Sequence, residues 1–121
     1  MPHIVIEYTP NLKGLPLDAM LAALTRRLAD SAEVADEADL KARVICVEAF
    51  RVGLAESARA FIHVTVRILA GRDEQAKKDF SDRVTEGMLE HMPRLPPGLQ
   101  AHLSVEVVDM DRGSYRKTRL A

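Results

Sequence analysis

Hydrophobic positions along this chain fall into two rhythms, one suited to strands and one to helices. His3-Ile4-Val5-Ile6-Glu7-Tyr8 is rich in β-branched residues and is closed by Thr9-Pro10-Asn11. Such residues fit a pleated surface and Pro-Asn marks a turn, so the run predicts a strand that starts almost at the first residue. From Leu15 the period changes. Leu17, Met20, Leu21, Leu24 and Leu28 recur at helical spacing with Arg26, Arg27 and Asp30 between them, and Pro16 suits a first helical turn. An amphipathic helix is therefore expected within Leu15–Val34, followed by an acidic loop at Asp36-Glu37-Ala38-Asp39.

The second half repeats the scheme. A strand is expected over Arg43–Arg51 and a connection over residues 52–57. Ala60–Leu69 is the clearest strand, with Phe61, His63, Thr65 and Arg67 alternating against Ile62, Val64, Val66 and Ile68. Ala70-Gly71-Arg72-Asp73 ends it and opens a second helix. That helix carries Phe80, Val84, Met88, Leu89 and Met92 as its stripe, and Pro93 stops it. After the breaker Pro96-Pro97-Gly98, Leu103, Val105 and Val107 alternate with Ser104, Glu106 and Val108 in a last strand. Asp111–Ala121 is a polar tail with Arg112, Arg116, Lys117 and Arg119.

The chain thus reads strand–helix–strand twice. One domain over 1–121 is expected, with pseudo-repeats at about 2–59 and 60–121. Strands joined through a helix run parallel by a right-handed crossover. The expected fold is α+β: two β-α-β repeats forming a four-stranded, mostly parallel sheet with two helices on one face. Ile4, Ile6, Val47, Val64 and Val66 are assigned to the other face. That is more apolar surface than a monomer leaves wet, so burial by partner subunits is expected.

Composition narrows the class. With 121 residues the chain can bury a moderate core. Lys and Arg number 17 against 18 Asp and Glu, a balance that argues against bulk nucleic-acid or anionic-membrane binding. The single cysteine, Cys46, makes no internal disulfide, so a reducing cytoplasm is the expected compartment. Neither a basic leader nor a long apolar run precedes the first strand, so no signal peptide or membrane span is expected.

Few side chains suggest chemistry. Trimming of Met1 would leave Pro2 as a secondary amine at the end of a strand. Burial and nearby cations lower the pKa of such an amine, and a neutral amine serves as a general base. Pro2 can equally do no more than open an edge strand. Arg43 and Arg72 lie at strand ends, where α/β ligands bind, and a guanidinium grips a carboxylate with two hydrogen bonds. Each can also be a solvated arginine, Arg72 pairing with Asp73 or Glu74. His63 reads as a satisfied histidine on a sheet face, and Cys46 as core. His3 and His102 stand at strand starts, and no spacing suggests a metal site.

The whole pattern resembles the 5-carboxymethyl-2-hydroxymuconate isomerase family, within the tautomerase superfamily that includes 4-oxalocrotonate tautomerase. Met1-Pro2-His3 before a hydrophobic strand carries the likeness. So do Arg43-Val44 opening a strand, and Ala60-Phe61-Ile62-His63-Val64-Thr65-Val66 running on to Ala70-Gly71-Arg72. It covers most of the chain through the second helix and weakens after Pro93. The resemblance implies a homotrimer without cofactor or metal, acting on an unsaturated 2-hydroxy or 2-oxo polycarboxylic acid in bacterial breakdown of homoprotocatechuate. It implies Pro2 as base, Arg72 as a carboxylate-binding or electrophilic arginine, and an active-site cation at the place of Lys41; with Arg43 from its strand-end position, Lys41 is expected to bind substrate. Where the family pattern has Arg-x-Arg, this chain reads Lys41-Ala42-Arg43, keeping the charge but losing one planar fork. Other expectations stay open beside this one: dehalogenation or hydration of an unsaturated acid, or a non-enzymatic oligomer in which Pro2 is structural.

Overall fold

A computed structural model describes residues 2–55 and 58–121, so Met1 and part of the expected 52–57 connection lie outside the described residues. The elements are strand β1 (His3–Tyr8), helix α1 (Leu17–Ala29), strands β2 (Lys41–Cys46) and β3 (Arg59–Leu69), helix α2 (Glu74–Glu90) and strand β4 (Gln100–Met110). A single 3₁₀ turn, Glu37–Asp39, precedes β2, with the Asp36 side chain accepting from Ala38 N–H. Among the described residues, no helix is long and apolar enough to cross a membrane.

The helices stop where local chemistry competes with them. After Ala29, Ser31 turns its hydroxyl to the Glu33 N–H at 3.2 Å, which ends α1 short of Val34. Asp73 caps α2 by accepting from Ala76 N–H at 2.8 Å. Downstream, α2 ends at Glu90, before Pro93, which has no N–H to continue the ladder.

The sheet runs β2-β1-β3-β4. β1 and β2 are parallel, β3 and β4 are parallel, but β1 and β3 are antiparallel. The sheet is therefore mixed, which corrects the mostly parallel sheet expected from the sequence. The reason is the connection between the two β-α-β units. Its described residues contain no helix, so the chain re-enters the sheet from the end it left and β3 runs against β2.

A second correction concerns the faces. Ile4, Ile6, Val64 and Val66 are fully buried under the helices with Met20, Leu24, Leu28, Phe80, Val84 and Met88, and Val47 lies just past β2. The face without helices carries instead Lys41, Arg43 and Ile45 from β2, His3 from β1, and His63 and Arg67 from β3. It is largely polar, so the apolar surface invoked for partner burial is core. Cys46, expected in the core, is half-buried beside Tyr8.

Candidate active site

Strand register assembles one end of the sheet. His3 pairs with Lys41 on one side and Arg67 on the other, and Leu69 pairs with Met110. The head of β1, the start of β2 and the ends of β3 and β4 therefore meet. Pro2 is buried there, its carbonyl accepting the Lys41 N–H at 3.1 Å. That bond ties together two of the residues singled out from sequence.

Arg43 sits one pleat along β2, on the open face. Its Nη2 lies 3.3 Å from His3 Nδ1, while His3 Nε2 lies 2.9 Å from the Tyr115 hydroxyl. A guanidinium can only donate, so Nδ1 accepts. The neutral ring then carries its proton on Nε2 and donates it to Tyr115. Burial, then the charges of Arg43, Lys41 and Arg67, hold the His3 pKa below the ordinary histidine value.

Arg72 is placed differently. Its Nη1 donates to the Leu69 carbonyl at 3.3 Å and its Nη2 to the Glu33 carbonyl at 3.1 Å. The guanidinium lies over the Phe80 ring at 5.9 Å. Its Nε lies 3.3 Å from the Glu33 carboxylate, an ionic contact without hydrogen-bond alignment. Asp73 and Glu74 are not its partners. Arg72 braces the β3–α2 corner against the segment after α1, at the same end of the sheet as Pro2.

The tail completes this end. Arg112 Nε donates to the Ala70 carbonyl, and Lys117 Nζ reaches Asp39 at 2.7 Å. The Lys117 ammonium holds the Asp39 carboxyl below the usual carboxylate range. Sequence reasoning left His3, Arg67, Glu33 and Tyr115 without a role. Two of them had a legible signal: His3 stands at a strand start, and Arg67 shares its alternation with His63 and Thr65.

At the other end of that face, His63 is satisfied as expected, bonding Ser104 Oγ at 2.6 Å and Glu106 Oε2 at 2.5 Å. A groove of about 450 Å³ between α1 and β2 is lined by Leu21, Thr25, Arg26, Glu37 and Ala42, and holds none of the candidate residues. No group of three His, Cys, Asp or Glu side chains among the described residues converges as a metal site. This end sets a buried proline beside a cluster of cations, a setting that favours anionic ligands.

Comparison with known proteins agrees with that reading of the fold. No curated protein matches the chain. A 5-carboxymethyl-2-hydroxymuconate isomerase from Deinococcus radiodurans R1 is similar in structure, with a TM-score of 0.89 and 24% identity, covering 98% of this chain and 89% of that one. A 5-carboxymethyl-2-hydroxymuconate delta-isomerase gives 0.71 at 17% identity over 100% of this chain and 89% of that one. A fused 4-OT symmetric trimer gives 0.69 at 18%, covering 97% and 92%. The family model for 5-carboxymethyl-2-hydroxymuconate isomerase matches residues 2–121. With its two β-α-β units and its full-length match, the chain is an isomerase that belongs to the 5-carboxymethyl-2-hydroxymuconate isomerase family.

Proposed function

We propose that the mature chain, with Met1 removed, shifts a proton within an unsaturated 2-hydroxy or 2-oxo polycarboxylic acid, 5-carboxymethyl-2-hydroxymuconate being the substrate. Pro2 is the general base. The observation that carries this reading is its burial at the head of β1, beside Lys41 and at the sheet end where Arg43, Arg67 and Arg72 gather. An α-amino group titrates near pH ~8 in model compounds. Burial and surrounding cations lower that value, leaving a neutral amine at physiological pH. The amine takes a proton from one position of the dienol acid and returns it at another, so the product is an isomer and no cofactor is consumed.

Lys41, Arg43 and Arg72 hold the acid groups and the charge that develops on the dienolate. For Arg72, the Glu33 carboxylate marks where an acid can sit against the guanidinium. A substrate carboxylate would take that place, Glu33 being partly exposed and able to swing away. We extend the proposal to the assembly: a single-domain protein working as a cytoplasmic homotrimer, as one 4-OT relative is a symmetric trimer. The test is chemical. Protein that keeps one extra residue before Pro2 has an amide there, which cannot accept a proton. Equal isomerisation by blocked and trimmed protein would overturn the role of Pro2.

A further inference from the structure

The tail brings an aromatic hydroxyl to the candidate site that the proposed reaction does not use. Tyr115 stands edge-on to His3, with ring centroids 6.0 Å apart, and its hydroxyl is 2.9 Å from Nε2. It is held there from both sides in sequence. Arg112 fastens the tail to the Ala70 carbonyl, Tyr115 N–H bonds the Asp111 carbonyl at 3.1 Å, and Lys117 pairs with Asp39. The phenol is thus presented by a fixed strap across the open face.

We propose that Tyr115 and His3 are positioning residues for Arg43, setting the guanidinium that meets the substrate's acid group. Tyr115 accepts the Nε2 proton and so selects one tautomer. That tautomer leaves Nδ1 bare, and only a bare Nδ1 can accept from Arg43. Arg43 makes no other hydrogen bond among the described side-chain contacts, so this is what orients it. The same logic makes the arrangement sensitive to protonation. A charged His3 turns an N–H toward Arg43 and releases it. The charged groups facing His3 are Arg43 and Lys41 on β2 and Arg67 on β3, with Tyr115 from the tail. After trimming, the Pro2 amine adjoins it in the chain. All of the charged side chains are cations, and they oppose protonation of the ring.

The inference rests on the proposed reading of this end as an acid-binding site, and its test separates the two. Adipate, a saturated dicarboxylate with no proton to shift, is the probe, with binding followed by calorimetry. Its affinity does not depend on Pro2 as base. His3→Leu removes the acceptor and should weaken adipate binding about three- to tenfold, the size of one hydrogen bond. His3→Asn places an oxygen at the Nδ1 position. It should restore binding and abolish the loss of affinity expected of wild type as pH falls through the lowered His3 value. Tyr115→Phe should weaken binding less, raising KM while leaving kcat unchanged in turnover. Should His3→Leu bind adipate as wild type does, or His3→Asn keep the same pH dependence, the positioning role is overturned. Should no form bind adipate while trimmed protein still isomerises dienol acids, the acid-binding reading of Arg43 is what fails.

Discussion

The two β-α-β units are built alike and do different work. In the first, the strands are 6 residues each and the helix 13; in the second, the strands are 11 residues each and the helix 17. The longer unit supplies the extended parallel pair β3–β4 and, through Phe80, Val84 and Met88, much of the buried helix stripe. The shorter unit supplies Pro2, His3, Lys41 and Arg43. Because β3 runs two residues past Arg67, the register partner of His3, its end brings Arg72 to the edge of the candidate site. On the proposed reading, a repeat thus separates into a scaffold and a site with little change of architecture.

That division can be broken first at its two poles. Blocking the Pro2 amine with one extra residue should lower turnover by about 10²- to 10⁴-fold, the usual contribution of a positioned base. The urea midpoint should stay unchanged, as chemical unfolding beside a rate assay would show. Phe80→Ala should do the reverse, costing about 3–5 kcal/mol of stability by opening a cavity where the side chain is fully buried. Any activity lost with it should follow the unfolded fraction, apart from the support Phe80 gives Arg72.

Arg72 sharpens the comparison, since it belongs to the scaffold by position and to the site by proposal. Arg72→Ala should reduce kcat/KM about ten- to a hundredfold, the value of a charge-assisted hydrogen bond of about 1.5–3 kcal/mol. A loss mainly in KM marks a clamp, and one mainly in kcat marks transition-state stabilisation. An unchanged rate on every dienol acid tried returns Arg72 to bracing the β3–α2 corner. Lys41→Arg, which restores the planar fork, should improve KM modestly.

The smallest effect is on stability against pH. His3 holds its proton less tightly folded than unfolded, so the unfolded chain binds more protons between the lowered folded value and about 6.5. Stability from this group is present above about 6.5 and is lost as pH falls through the folded value. Urea midpoints at pH 7.5 and 5.5 should therefore lie closer together in His3→Asn than in wild type.

Much of this was legible in the residues themselves. β1 matches its expected span, and β3 starts one residue before the expected Ala60. Both runs are dense in β-branched residues with a turn or glycine at a border. The parallel pairing inside each unit also followed from its helix. The relation between units did not, because a crossover rule says nothing about a connection with no helix among its described residues. Nor could alternation decide which face the helices cover: in β1, Ile4 and Ile6 are separated by Val5, so both faces carry apolar side chains. Pro2, Arg43 and Arg72 stood out by position, and Lys41 through the family resemblance. Tyr115 did not, since its contact with His3 spans 112 residues and arises only when the tail crosses the sheet.

The place of β1 in the sheet has a consequence for how the protein is made. β1 is synthesised before β2 and β3, yet it ends between them, hydrogen-bonded on both sides. Until residues 59–69 have been synthesised, one border of this apolar strand is bare and able to pair with another nascent chain. The proline at its head is translated before the β2 strand whose Lys41 N–H its carbonyl accepts. A chain halted before Arg59 would present an unfinished sheet, more apt to aggregate than to remain soluble and inactive.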